Sequence, residues 1–202
     1  MNSDKRVFVL LNGELPSDLG VADSYDVICA TDGAYDSFVQ QQIRPDLVAG
    51  DFDSITKIPS DITTLHTPDQ DYTDFEKLLN HLHQEGYKQI DVYGASGKEQ
   101  DHFLGNLHVA LVWKEKLNLV FYDDFGTYRF IPKTFQASQI KGKNVSLYPF
   151  PEADNITTEG LEFPLNGEHL AIGKRIGIRN KAISNEIQIS YTNGDLLVFI
   201  SH

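Results

Sequence analysis

The chain of 202 residues has little sulfur: one cysteine, Cys29, and one methionine. A single thiol excludes an intrachain disulfide. Cys29 lies in the apolar run Val27-Ile28-Cys29-Ala30, where core filling in a reducing cytoplasm is its expected role. Positive charge is scarce too, with 17 Lys and Arg against 29 Asp and Glu and a net charge of −12. Nucleic-acid binders carry a basic footprint, so this balance argues against a phosphate-backbone partner. It suits a cationic small substrate, or a phosphorylated one whose charge a metal ion offsets. No apolar run is long enough to span a bilayer, and the start MNSDKRVFVLLNG lacks signal-peptide architecture, so a cytoplasmic location is expected. The sequons at Asn144 and Asn155 carry no weight under that expectation.

Several familiar signatures are missing. Gly94-Ala-Ser-Gly97-Lys98 has too few residues between its glycines for a P-loop, and no Ser or Thr follows the lysine. A Gly-x-Gly-x-x-Gly fingerprint follows neither early strand. Asp124-Phe125-Gly126 matches the protein-kinase triplet without the companion motifs. His81, His83, His102 and His108 lack zinc-ligand spacing and read as surface or helix-face residues, and Trp113 reads as core or interface.

What the chain does have is an acidic stretch at residues 44–75, RPDLVAGDFDSITKIPSDITTLHTPDQDYTDF. Its aspartates alternate with short apolar runs rather than with basic partners, unlike an ordinary solvated surface. Leu47-Val48-Ala49 reads as the end of a buried strand, after which Gly50-Asp51-Phe52-Asp53 turns and presents two carboxylates. Phe52 is expected to anchor that turn. Ligands of open α/β sheets bind at the strands' carboxyl ends, and Mg²⁺ is held by a few carboxylates together with substrate phosphates.

Strand and helix signals alternate through the first half. Strands are expected at residues 7–11, 25–30, 47–49, 62–66, 90–93 and 117–122, with a short helix over 34–42. Thr73-Asp74-Phe75-Glu76 is a capping-box signature. Behind it Phe75, Leu78, Leu79 and Leu82 line one helix face, and Gly86 ends the helix. Asp101 is placed to cap a further helix whose Leu104, Leu107 and Leu111 share one side. This spacing implies an α/β domain with a mostly parallel sheet over residues 1–126. From residue 127 to 202 the period is two, as in an antiparallel, all-β domain. Tyr191-Thr192-Asn193-Gly194-Asp195-Leu196 is its strongest hairpin signal. Asp32, Asp51, Asp53, Asp71, Asp74 and Asp101 each fall just after a strand or at a helix start. Together they suggest Mg²⁺-dependent phosphoryl or pyrophosphoryl chemistry.

The ordered motifs Thr31-Asp-Gly-Ala-Tyr, Arg44-Pro-Asp-Leu-Val-Ala-Gly-Asp-Phe-Asp-Ser54, Asp69-Gln-Asp-Tyr-Thr-Asp-Phe-Glu-Lys77, Gly94-Ala-Ser-Gly97 and Asp101-His-Phe-Leu-Gly-Asn-Leu107 closely resemble thiamine pyrophosphokinase. The match extends through Gly160-Leu-Glu-Phe-Pro-Leu165 and Ile183-Ser-Asn-Glu186. The resemblance implies pyrophosphoryl transfer from ATP to the hydroxyl of thiamine, giving thiamine diphosphate and AMP. It also implies a β-sandwich-like C-terminal domain and a homodimer with active sites between subunits, the α/β domain holding ATP and the partner's β domain helping to hold thiamine. By motif, Asp51, Asp53 and Asp74 resemble the Mg²⁺ ligands and, with Asp71, the catalytic carboxylates. Gln70, Asp74, Ser184 and Asn185 resemble the thiamine contacts. Asp32, Gly33, Asp46, Gly94, Gly97, Lys98, Asp101 and His102 resemble the ATP site.

Residue chemistry agrees with that expectation. An acidic site attracts the fixed thiazolium charge of thiamine but repels ATP unless a metal intervenes. The chain departs from the family's usual Gly-Gly-Arg before the Asp-His motif, with Gly97-Lys98-Glu99 instead. Lys98 brings charge without the bidentate guanidinium geometry. Ala34 replaces a usual glycine, and Phe163 stands where tryptophan is common. Two other readings use the same residues: a Mg²⁺-dependent phosphohydrolase with water as nucleophile, and a thiamine or nucleotide sensor without turnover.

Overall fold

The apolar runs at residues 7–11, 47–49 and 90–93 become strands buried on both faces. The computed structural model describes residues 2–19, 24–52 and 60–202, and the chain divides into two units, Met1–Asp124 and Phe125–His202. The first unit carries β1 (Arg6–Leu10), β2 (Val27–Thr31), β3 (Leu47–Gly50), β4 (Thr63–His66), β5 (Gln89–Tyr93) and β6 (Asn118–Asp123). Between them lie α1 (Tyr35–Gln40), α2 (Asp74–Gln84) and α3 (Gln100–Trp113). The strands pair in parallel in the order β4-β3-β2-β1-β5-β6. Winding proceeds outward from β1 to β4, and α2 then carries the chain to β5 on the other side of β1. The winding therefore reverses between β1 and β5, and such a switch point opens a crevice at the carboxyl edge.

Successive side chains of a strand point to opposite faces. Phe8 and Leu10 of β1 pack with Phe38 of α1, whereas Val7 and Val9 alternate to the other face, and all are buried. Cys29 has no exposed surface, and burial pushes its thiol pKa far up, which leaves it inert in the folded chain. Among the described residues no helix is long and apolar enough to cross a membrane.

Helix α2 forms as its pattern requires, burying Phe75, Leu78, Leu79 and Leu82. Thr73 Oγ1 accepts the Glu76 N–H at 3.2 Å, while the Glu76 carboxylate turns to the Trp113 indole N–H at 3.4 Å. The expected capping box is thus half used for capping and half for docking α3. Thr73→Ala should cost about 1 kcal/mol, read as a lower urea midpoint.

Helix α3 departs from expectation. Glu99 occupies its N-cap, so Asp101 lies inside the first turn, where its Oδ1 accepts the neighbouring His102 N–H at 2.9 Å. Leu107, Val109, Ala110 and Trp113 are buried, but Leu104 is 63% exposed. The helix is apolar on nearly every side, so periodicity does not single out the inward stripe.

The second unit holds only strands: β7 (Gly126–Ile131), β8 (Thr134–Ser138), β9 (Asn144–Glu159), β10 (Asn166–Ala171), β11 (Gly177–Lys181), β12 (Glu186–Ser190) and β13 (Asn193–Ser201). Their pairings are antiparallel. The long β9 organises them, with β10 and β11 along one edge and β12 and β13 along the other. Val145, Leu147, Ile156, Leu170, Ile187 and Val198 share the core this creates. The hairpin expected at residues 191–196 does not form. Ser190 pairs with Thr157 and Asn193 with Asp154, so β12 and β13 run end to end along β9 in one continuous register. Gly194 adopts φ +73° and begins a register shift, so Asn193-Gly194 marks a bulge rather than a reversal.

Candidate active site

The loops leaving β1 and β5, on the two sides of the switch point, are joined to each other. Leu11 N–H donates to Tyr93 O at 2.9 Å, Gly13 N–H to Gly94 O at 2.6 Å and Glu14 N–H to Ser96 O at 2.7 Å. Lys98 Nζ adds a bond to Asn12 Oδ1 at 3.1 Å. A Cβ on Gly13 would overlap the Gly94 carbonyl, and one on Gly94, at φ +65°, would overlap that of Leu11. Glycine is therefore needed at both positions for the loops to lie this close.

From β2, Thr31 leads into Asp32, a buried residue at the edge of the cavity. Asp32 Oδ1 accepts the Gly33 N–H at 2.6 Å and Oδ2 accepts the Phe52 N–H at 3.0 Å. Burial is the main cause that raises its pKa. The two N–H bonds pull the other way, and the charges of Asp74 and Asp51 add to the rise. From β3, the chain turns through Asp51 and Phe52. Phe52 has φ +65° and stacks on His66 with centroids 5.9 Å apart, so the expected aromatic anchor is present.

The segment after β4 brings the remaining carboxylates. Thr67 N–H donates to Gly50 O at 2.9 Å, which ties this segment to the Asp51 turn. Gln70 Nε2 donates to Asp51 Oδ2 at 3.4 Å, and Asp71 N–H to Asp69 Oδ1 at 2.9 Å. Asp74, the first residue of α2, accepts from Thr67 Oγ1 at 3.2 Å and from Lys77 Nζ at 2.8 Å. On α3, Asn106 Nδ2 donates to Ala95 O at 2.9 Å and fixes the helix to the β5 loop.

These elements enclose one cavity of about 650 Å³, within the size range of small-molecule sites. Asp32, Gly33, Asp51, Gln70, Asp71, Asp74, Gly94, Lys98, Asp101 and His102 all line it, as do Asn12, Gly13, Lys77 and Asn106. Gly97, at φ +91°, forms the turn between the lining residues Ser96 and Lys98 without lining the cavity itself. Asp53 lies outside the described residues. Ser184 and Asn185 belong to the second unit, where both are exposed ahead of β12.

Asp46 requires a correction. It precedes β3 rather than following it, and a four-residue strand sets its two ends roughly 13 Å apart. Its Oδ2 accepts the Ile28 N–H at 2.8 Å, and its own N–H donates to Ile28 O at 2.8 Å, so it staples the entry of β3 to β2. Asp46 is absent from the cavity lining. Conversely, Asn12, Lys77 and Asn106 escaped the sequence reading. Only Lys77 left a usable signal, its place three residues after Asp74 on one helix, where opposite charges pair.

The donor set suits a hard cation, since Asp51, Asp71 and Asp74 bring carboxylate oxygens to one cavity. Among the described residues no three His, Cys, Asp or Glu side chains already converge as a ready-made metal group.

A carboxylate-lined cavity built on glycine loops at the switch point of a parallel sheet defines the class: an α/β protein shaped to hold a phosphorylated ligand. Comparison with known proteins narrows this. The family described as "Thiamin pyrophosphokinase, catalytic domain" matches residues 20–121, and "Thiamin pyrophosphokinase, vitamin B1 binding domain" matches residues 130–196. A thiamine pyrophosphokinase of Bacillus subtilis is 27% identical, covering 93% of this chain and 92% of the relative. Thiamine pyrophosphokinase 2 of Arabidopsis thaliana is 30% identical, covering 93% and 77%. The crystal structure of the Bacillus subtilis enzyme superposes with a TM-score of 0.86 at 24% identity, covering 98% of this chain and 99% of that one. The chain belongs to the thiamine pyrophosphokinase family, and it is an enzyme of ATP-dependent pyrophosphoryl transfer to thiamine.

Proposed function

We propose that the cavity at the β1/β5 switch point takes ATP as its Mg²⁺ complex, that Asp51, Asp53 and Asp74 hold the metal, and that Gln70 and Asp74 orient the thiamine hydroxyl. One observation carries this reading: Asp51, Asp71, Asp74, Asp101 and Lys98 line one cavity. An acidic cavity repels a bare triphosphate, so the nucleotide enters with a divalent ion. When bound, Mg²⁺ supplies neutralisation of charge on the transferred group and the leaving AMP.

The chain's own residues do the rest. Gly33 and Gly94 let the backbone approach the phosphates closely, Gly97 turns the chain that carries Lys98, and Lys98 adds the cation that the family's arginine usually supplies. Asp101 and His102, in the first turn of α3, border the nucleotide. The hydroxyl of thiamine has to lie in line with the β-phosphorus, and a carboxylate among Asp51, Asp71 and Asp74 accepts its proton.

In the second unit, Ser184 and Asn185 contact thiamine. Both are exposed, and the aromatic Phe163 nearby in the strand pairing is 68% exposed. The unit works as a β-sandwich that joins two copies in a cytoplasmic homodimer with shared sites. The exposed Ile172, Ile176 and Ile178 support that role. Light scattering at micromolar concentration should give a dimer mass, and a monomer mass counts against shared sites.

The deciding experiment is an AMP assay with ATP, Mg²⁺ and thiamine, beside a control without thiamine. Thiamine-dependent AMP release matched by thiamine diphosphate is expected. Inorganic phosphate in place of both products would make the cavity a hydrolase site, and thiamine binding without turnover would make it a sensor.

A further inference from the structure

Asp32 resembles a nucleotide contact by motif, yet its surroundings assign it another task. We propose that Asp32 is a positioning residue that holds the Gly50-Asp51-Phe52 turn and thereby keeps Asp51 in place on the cavity wall. The proposal rests on the assignment of Asp51 as a metal ligand.

Asp32 as a residue is only 7% exposed. Each oxygen is committed to a backbone N–H, Oδ1 to Gly33 at 2.6 Å and Oδ2 to Phe52 at 3.0 Å. The second bond grips the residue that follows Asp51. The residue that precedes Asp51 is fitted to the same carboxylate, because a Cβ on Gly50 would overlap the Asp32 side chain. Asp51 is thus bracketed by two contacts with one buried group. Phe52 needs such a hold. At φ +65° it occupies the left-handed region, which a bulky residue adopts only when its surroundings impose it. Its ring supplies the other restraint by stacking on His66 at 5.9 Å.

The same contact explains two residue choices that the acidic motif alone does not. Gly50 is bare because Asp32 lies over it, and position 32 needs a group that accepts two hydrogen bonds and donates none. Asparagine fails that requirement, since its amide nitrogen would face a backbone N–H donor. A residue that orients a metal ligand through such a bond typically changes metal affinity or activity by 10- to 100-fold when it is altered, roughly.

The test uses Mn²⁺ as the probe, titrated into the full chain without nucleotide and followed by its electron paramagnetic resonance signal. Asp32→Asn should weaken Mn²⁺ binding about tenfold or more. It should lower kcat while leaving the KM for ATP at saturating metal within about twofold of wild type. Gly50→Ala, which disturbs the contact from the other side without changing a charge, should reproduce the weaker Mn²⁺ binding. Adding Asp32→Asn to Asp51→Asn should cost no further Mn²⁺ affinity, since coupled residues are not additive.

Amide exchange at Phe52 reads the hold itself with no metal present, and it should accelerate in Asp32→Asn and in Gly50→Ala. Unchanged Phe52 exchange overturns the proposal. So does a raised KM for ATP with intact Mn²⁺ affinity, which would make Asp32 a direct nucleotide contact. Fully additive losses in the double variant would make it a metal ligand in its own right. Should Asp32→Asn fail to fold, Gly50→Ala decides by the same titration and the same exchange measurement. Faster Phe52 exchange in a chain whose wild type binds no Mn²⁺ would leave the brace standing and bring down the metal assignment.

Discussion

Asp51→Asn and Asp74→Asn should each lower Mg²⁺-dependent formation of thiamine diphosphate by about 10²–10³ in kcat while circular dichroism stays that of wild type. The substitution is nearly isosteric and removes one charge. For Asp74 it leaves an amide oxygen that still accepts from Thr67 Oγ1 and Lys77, so the start of α2 keeps its bonds. For Asp51 the Gln70 side chain keeps an acceptor. Neither carboxylate is a core group, since Asp51 is half-buried and the Asp74 side chain retains 31% of its exposure. A fold with little stake in these charges should survive their loss, and activity that depends on them should not. The check is initial velocity against Mg²⁺ concentration for both variants. Wild-type turnover in either one sinks the metal assignment.

Lys77→Met should have the largest effect on structure of any single change near the cavity. The ammonium group is nearly buried, with 13% side-chain exposure, and its three protons meet three acceptors. They are Thr67 O at 2.8 Å, Asp69 O at 2.7 Å and Asp74 Oδ1 at 2.8 Å. One cation thus gathers both ends of the segment that carries Gln70 and Asp71. Methionine keeps the length of the stem but donates nothing, so two carbonyls lose this donor and the Asp74 carboxylate, still bonded to Thr67 Oγ1, loses its counter-charge, at a cost of about 2–3 kcal/mol. The urea midpoint should fall accordingly, and kcat/KM should fall by at least about tenfold because the loop no longer presents its groups in register. Lys77→Arg should not restore activity, since a planar guanidinium cannot point three protons at acceptors arranged around a single nitrogen. An unchanged midpoint in Lys77→Met would show that the loop is held by other means.

The mostly parallel sheet of the first unit was legible, though not its strand order, because most of its strands are apolar runs that alternate with helical segments. That pattern has few alternatives once both faces must be covered. Helix α2 was legible for a similar reason, with one cap and one stripe. Helix α3 was not, since a segment apolar all round has no preferred inward side until neighbours choose one. The Asn193-Gly194 signal misled because left-handed backbone serves a bulge as well as a turn, and only the register of β9 decides between them. At the site, the aspartates after β2 and β3 were readable from strand ends. Asp46 failed because a carboxylate at the start of a short strand looks, in one dimension, much like one at its finish. Asn12 and Asn106 are ordinary residues made important by a loop pairing and a helix docking that appear only after folding.

Cys29 sits in β2, paired with Val9 of β1 on one side and Leu47 of β3 on the other. Since it is the chain's sole thiol and has no surface, a water-borne disulfide reagent reaches it only when the middle of this sheet comes apart. The rate of labelling is therefore a clock for such openings, and it needs no added probe. Saturation with ATP and Mg²⁺ should slow that clock by about a hundredfold at a hundred times the dissociation constant, because a ligand that binds only the closed sheet withdraws molecules from the open one. The enzyme carries at its centre a gauge of how fully its own cavity is occupied.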